Sequence, residues 1–267
     1  MKYFDSHAHY YDDRFGVECE EGVDNLIGTL LEKEVSCIIN IGTSPETSRA
    51  AIAQAKKFAN MYTAVGIHPS DSRFITDTDS ALSDIEALIL DKSSKCVCLG
   101  EIGLDYHYPD TDKERQAVFF REQMKVADRL SIPVCIHDRE AHGDVMEIIR
   151  EFPSVRGVLH SFSGSPEMAA ELVALGYMIS FSGTLTFTNA RKPREVAATV
   201  PPDRILIETD CPYLAPHPLR GTLNHSGNLK YTCATLAGIL GISEEECARL
   251  TENNARRFFG LGKRECA

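Results

Sequence analysis

The feature that most constrains this chain is an alternation of two patterns that repeats from end to end. Short apolar runs rich in β-branched residues alternate with longer stretches of helical periodicity. The runs at 3–9, 35–41, 61–67, 95–101, 132–137, 157–160, 177–180 and 204–210 read as eight strands. Residues 22–33, 45–58, 80–90, 113–130, 143–151 and 166–175 read as helices between them. A short helix is expected at 193–199, and 229–240 and 243–259 close the chain as helices. Strand–helix alternation repeated in this way predicts an α/β fold, a single (β/α)8 TIM-type barrel, spanning 1–267 as one domain. A doubly wound open sheet is the alternative. No Gly-x-Gly-x-x-Gly turn follows the first run, which weakens the dinucleotide-binding version of that fold.

Composition removes several function classes. No apolar run approaches the roughly 18 residues of a membrane span, and the N-terminus lacks a charged-then-apolar signal pattern. The expectation is a soluble, cytoplasmic protein with no membrane association and no obligate protein partner. Nine cysteines, an odd number without a Cys-x-x-Cys pair, argue against a disulfide framework and a zinc ribbon. Cys96 and Cys98 share one strand face and could imitate a ligand pair. We read them as apolar filler, because Glu101 sets the opposite parity as inward. The net charge of −11 is a poor match to a protein that wraps duplex DNA, which needs an extended basic surface.

In such a barrel the chemistry sits at the C-terminal ends of the strands. The first run ends in Asp5-Ser6-His7-Ala8-His9, where i and i+2 project side by side and suit two imidazoles on one metal ion. The third ends in Gly66-Ile67-His68-Pro69, and the fourth in Gly100-Glu101-Ile102-Gly103-Leu104-Asp105. His137 ends the fifth, His160 the sixth and Asp210 the eighth. Parity agrees: Leu206, Glu208 and Asp210 share one face, and Val97, Leu99 and Glu101 share another. A single histidine at a strand end is unremarkable, but six ligand-type residues at such positions point to a metal centre.

These blocks, together with His160-Ser161-Phe162-Ser163-Gly164, Glu208-Thr209-Asp210-Cys211-Pro212-Tyr213-Leu214-Ala215-Pro216 and Asn254-Ala255-Arg256-Arg257-Phe258-Phe259-Gly260-Leu261, resemble the TatD-like metal-dependent deoxyribonucleases of the amidohydrolase superfamily. The resemblance runs nearly end to end. It implies a binuclear site and phosphodiester hydrolysis, with His7, His9, Glu101, His137, His160 and Asp210 as ligands and Glu101 bridging. It also implies 3′-to-5′ exonuclease action on single-stranded DNA ends. Many binuclear sites of that superfamily use a carbamylated lysine on the fourth strand. Here Lys95 lies at the wrong end, and Glu101 fills the place. The loop that in the family resembles Arg-Gly-x-x-Asn-Glu-Pro reads Arg220-Gly221-Thr222-Leu223-Asn224-His225-Ser226, so His225-Ser226 departs at a loop expected to flank the mouth.

Four imidazoles and two carboxylates suit Zn²⁺, Mn²⁺, Fe²⁺ or Ni²⁺ better than an all-oxygen Mg²⁺ cage, although the resemblance keeps Mg²⁺ open. Two divalent ions held by two carboxylates leave a surplus of positive charge that attracts a phosphodiester; one ion leaves none. A neutral amide, ester or lactone would be content with one, and hydrolysis of such a substrate is the alternative function. Asp210 is expected to act as general base beside Glu101. His68, Arg220 and Arg139 are expected phosphate contacts, and Glu208 a hydrogen-bonding partner one layer below. Asp5 is expected either to orient an imidazole or to be a structural acid. His107, His142, His217 and His225 are not expected to be ligands.

Overall fold

The computed structural model describes residues 1–262; Cys266 lies outside the described residues. Eight parallel strands form one sheet in sequential order. They are β1 (Tyr3–Ala8), β2 (Val35–Ile41), β3 (Met61–Val65), β4 (Cys96–Asp105), β5 (Val134–Arg139), β6 (Gly157–Leu159), β7 (Met178–Phe181) and β8 (Ile205–Ile207). The ends of β1 and β8 close the barrel. Ala8 bridges to Cys211, the His9 amide donates to the Cys211 carbonyl at 2.8 Å, and the Asp210 amide donates to the His7 carbonyl at 2.9 Å.

The surrounding helices are α1 (Asp13–Glu18), α2 (Val23–Lys33), α3 (Pro45–Ala55), α4 (Thr78–Leu90), α5 (Lys113–Leu130), α6 (His142–Glu151), α7 (Pro166–Ala174), α8 (Arg191–Thr199), α9 (Leu229–Leu240) and α10 (Glu244–Phe258). Their starts are written in local chemistry. Ser44 caps α3 with a reciprocal Thr47 bond and Pro45 in the first turn, Ser165 caps α7 ahead of Pro166, and Ser243 caps α10 ahead of three glutamates. The short helix α1 has no apolar periodicity of its own and was not expected; only Phe15 anchors it. Among the described residues no helix is long and apolar enough to cross a membrane.

Two apolar layers separate cleanly. Phe4, Cys37, Ile39, Ala64, Cys98, Cys135, Val158, Met178 and Leu206 bring every strand into one buried cluster, the barrel interior. The end of α10 closes it from below, with Phe259 stacked on Phe4 at 6.0 Å between ring centroids and 5° between planes. Tyr3, Leu99, Ile136, Leu159, Ile179 and Ile205 face the outer helices instead. This corrects the expected parity of β4: Cys98 is interior and Leu99 faces outward. The reading of Cys96 and Cys98 as filler was therefore right in outcome for buried Cys98 but wrong in its reason. Glu101 still reaches the mouth because the pairing of β4 with β5 skips register between Leu99 and Ile102. A similar skip between Asp5 and Ala8 lets His7 and the interior residue Phe4 serve the same side of β1. On β5, β6 and β8 the alternation is regular, and Cys135/His137, Val158/His160 and Leu206/Glu208 line up as pattern alone requires.

Candidate metal centre

Six side chains from five strand ends converge above the interior cluster. Glu101, from β4, stands at their centre, and its two oxygens face different partners. Oε2 lies 3.4 Å from His7 Nε2 and 3.6 Å from His9 Nε2. Oε1 lies 2.8 Å from both His137 Nδ1 and His160 Nε2. Asp210 joins the first group, with Oδ1 3.3 Å from His9 Nε2 and 3.6 Å from His7 Nε2. Within each group the imidazole nitrogens nearly touch, at 3.0 Å for His7–His9 and 3.1 Å for His137–His160.

These spacings are those of donors sharing an ion. Two ligand atoms about 2.0–2.1 Å from one zinc-like ion lie about 3.4 Å apart at a tetrahedral angle. His7, His9 and Glu101 form one set able to hold a metal, and Glu101, His137 and His160 form another. Nitrogen and oxygen donors of this mixture fit a divalent transition ion.

The far side of each imidazole is also engaged, which fixes ring orientation. His9 Nδ1 donates to the Ile41 carbonyl at 2.8 Å. His7 Nδ1 meets Cys135 Sγ at 3.3 Å, His137 Nε2 meets Asp105 Oδ2 at 3.2 Å, and His160 Nδ1 meets Glu208 Oε1 at 3.3 Å. Glu208 also accepts from the Ser161 amide at 2.7 Å. Asp105 and Cys135 were not singled out for these contacts from sequence. For Asp105 the signal was present: it ends the Gly-Leu-Asp run that carries β4 past Glu101. Asp5 touches no imidazole nitrogen. Its carboxylate accepts from the Thr209 and Ser226 hydroxyls, each at 2.6 Å, and from the Thr209 amide, so it joins β1 to the chain beyond β8.

The electrostatics calls for positive charge. Burial raises the Glu101 carboxyl, but His160 and His68, with hydrogen bonds from His137 and His160, outweigh it and hold the pKa well below the usual carboxylate range. Burial lowers His160, yet Glu101 and Glu208 lift it well above an ordinary histidine. A donor set of this kind suits a divalent ion, whose binding would displace protons from the imidazoles.

His68 sits beside the two groups, with Nε2 3.5 Å from Glu101 Oε1. Its Nδ1 accepts from the Ser70 amide at 3.1 Å, so Nε2 carries the ring proton. Burial is the main cause that brings its pKa down to about 3, leaving it neutral. Above the cluster opens a cavity of about 710 Å³, lined by His9, His68, Glu101, His137, His160 and Asp210 and by Tyr11, Thr43, Thr47 and Tyr213, together with carboxylates from neighbouring loops. Arg220 and Arg139 are not among its lining residues. Arg220 stacks on Phe187 at 4.0 Å from the ring centroid and Arg139 lies 5.9 Å from that of Tyr108. The His225–Ser226 pair also turns away from it. His225 Nδ1 accepts from the Gly227 amide, and buried Ser226 binds Asp5 and Tyr10. The other histidines lie elsewhere, His107 paired with Glu140 and His142 with Asp138.

A (β/α)8 barrel with this donor set at the C-terminal mouth defines a metal-dependent hydrolase of the amidohydrolase superfamily. A family model described as TatD related DNase matches residues 4–260, and the chain belongs to that family. It is 36% identical over 261 residues to the uncharacterized metal-dependent hydrolase YabD of Bacillus subtilis, covering 97% of this chain and 99% of that one. It is 33% identical over 261 residues to the metal-dependent hydrolase TatD of Mycobacterium tuberculosis, covering 96% and 97%. The crystal structure of YJJV, a TatD homolog from Escherichia coli, superposes with a TM-score of 0.88 at 30% identity, covering 97% of this chain and 98% of that one.

Proposed function

We propose that the chain, 1–267, is a phosphodiesterase that holds two divalent ions and shortens single-stranded DNA from its 3′ end. The observation that carries the reading is the division of Glu101 between two imidazole pairs, Oε2 towards His7 and His9 and Oε1 towards His137 and His160. In this reading His7, His9 and Asp210 would hold one ion and His137 and His160 the other, with Glu101 offering one oxygen to each group. Zn²⁺, Mn²⁺, Ni²⁺ or Fe²⁺ suits the donors, with Mg²⁺ the harder alternative. When bound, such ions supply Lewis acidity and lower the pKa of a water molecule.

The protein's own groups divide the remaining work. Asp210 is the more accessible carboxylate, its side chain 16% exposed against 5% for Glu101, so it can take a proton from an attacking water and release it to the cavity. His68 presents a neutral N–H, suited to a phosphate oxygen. Arg220 and Arg139, held against aromatic rings outside the cavity, serve the strand beyond the scissile bond. The eight described cysteines are all free, which fits work in the reducing cytoplasm.

The test is metal content measured alongside cleavage of a linear single strand and a circular strand of the same sequence. Two ions per chain with loss of terminal nucleotides from the linear strand alone is the expected result. Opening of the circle as fast as shortening of the linear strand would replace exonuclease with endonuclease action. One observation favours a second reading, hydrolysis of a small neutral ester, amide or lactone: among the described residues no lysine or arginine lines the cavity. Turnover of such a substrate without any phosphodiester cleavage would select it.

A further inference from the structure

Beyond Glu101 and Asp210, the cavity is lined by four more carboxylates, Asp12, Asp13, Glu46 and Asp71, and, among the described residues, by no lysine or arginine. They come from the segments that follow β1, β2 and β3, so one side of the mouth is acidic. Asp13 and Glu46 are exposed and make no ion pair among the described residues. Asp12 accepts from the Arg14 amide and the Tyr213 hydroxyl, both neutral donors. On this side of the mouth Arg14 is committed to Glu18 at 2.6 Å and to the Pro212 carbonyl at 3.1 Å, and the Arg73 guanidinium offsets part of the charge of Asp71 alone.

We infer that this acidic rim makes the enzyme select phosphodiesters of low charge, a dinucleotide or a few-nucleotide fragment, over long strands. The inference rests on the phosphodiesterase reading above and narrows its substrate. Two divalent ions bring four positive charges against six carboxylates around the cavity. The metal centre can satisfy one phosphate, but each further phosphate of a longer strand passes uncompensated negative charge at short range. The sign of the salt effect follows. A basic groove loses affinity for nucleic acid as salt rises, through counterion release. An acidic mouth gains it, because the Debye length falls from about 30 Å at 0.01 M to about 8 Å at 0.15 M and the repulsion is screened.

The experiment compares kcat/KM for a deoxydinucleotide, with its single phosphodiester, and a single-stranded oligomer of about 20 nucleotides across that salt range, with metal-loaded enzyme. Equilibrium binding of the same oligomer with phosphorothioate linkages, followed by fluorescence anisotropy, is the second readout. At low salt the dinucleotide should be preferred by about tenfold, and salt should narrow the gap about threefold while tightening oligomer binding. The double variant Asp13→Asn/Glu46→Gln should narrow the gap at low salt and flatten the salt response. An oligomer cleaved as well as the dinucleotide, or bound more weakly as salt rises, overturns the inference and assigns recognition to Arg139 and Arg220. If neither substrate is cleaved, the phosphodiesterase reading fails, while binding still reports whether the rim excludes long polyanions.

Discussion

Cys135 Sγ lies 3.3 Å from His7 Nδ1, on the side of the ring opposite the nitrogen that faces Glu101 and Asp210. An imidazole that offers Nε2 to a metal must carry its proton on Nδ1, so the sulfur is the acceptor. Burial pushes the Cys135 thiol well above its ordinary pKa, so it remains a neutral, weak acceptor. Cys135→Ala should leave the barrel intact and lower metal affinity about tenfold, with Cys135→Ser in between. Titration calorimetry with Zn²⁺ measures this; equal affinity in all three proteins would show that the sulfur does nothing for His7.

Glu101 and Asp210 separate by metal counting. Glu101→Ala removes an oxygen from both donor groups and should release metal and abolish activity. Asp210→Asn keeps an oxygen donor but removes the base, so it should retain much of its metal and lose about 10²–10⁴-fold in turnover. Full metal occupancy in Glu101→Ala would reject the bridging role.

His68 and Arg220 should act on substrate without holding metal. His68 lines the cavity whereas Arg220 lies on Phe187 outside it. His68→Ala should therefore slow a small phosphodiester more than a neutral ester, with metal content unchanged. Arg220→Ala should leave a dinucleotide nearly untouched. Equal losses on both ester types for His68→Ala would count against phosphate recognition.

Asp5 gives a pH signature. Full burial raises its pKa to about 6 from 3.8, despite hydrogen bonds from Ser226 and Thr209 that oppose the rise. The folded protein thus holds this proton more tightly than the unfolded chain. Between the two values the native state is protonated and the unfolded chain is not, so stability falls as pH rises through that window and is level above it. For one group the change is about 3 kcal/mol at most. Urea unfolding of metal-free protein across this range, compared with Asp5→Asn, isolates it; the same slope in the variant would assign the effect elsewhere.

The strand–helix order was legible because strand and helix periods differ and each run has its own caps and breakers. The candidate ligands after β5, β6 and β8 were legible for a simpler reason: His137 and His160 follow interior residues by two places, and Asp210 follows Leu206 by four. On β1 and β4 that arithmetic fails, since Phe4 and Cys98 are interior while His7 and Glu101 sit at odd separations from them. Residue types survived there although parity did not. Asp105 was overlooked as a partner because β4 runs ten residues, beyond the mouth-facing position expected of Glu101. The carboxylates on one side of the mouth were not legible. A metal-lined opening was expected to be positive, but Asp12, Asp13, Glu46 and Asp71 arrive from three separate loops that no local pattern joins.

The seam between β1 and β8 has a consequence for biosynthesis. His7 and His9 are made long before the backbone that fixes them, at Asp210 and Cys211. The stacking of Phe259 on Phe4 comes later still. Until Asp210 and Cys211 are in place the two histidines lack the backbone that fixes them, so the candidate metal centre forms with closure of the barrel. The ion it takes is then set by the pool the finished protein meets and not by the order of translation. Chains truncated before Cys211 should emerge from gel filtration without bound metal, and stoichiometric retention by them would show that the histidine pair loads before the barrel shuts.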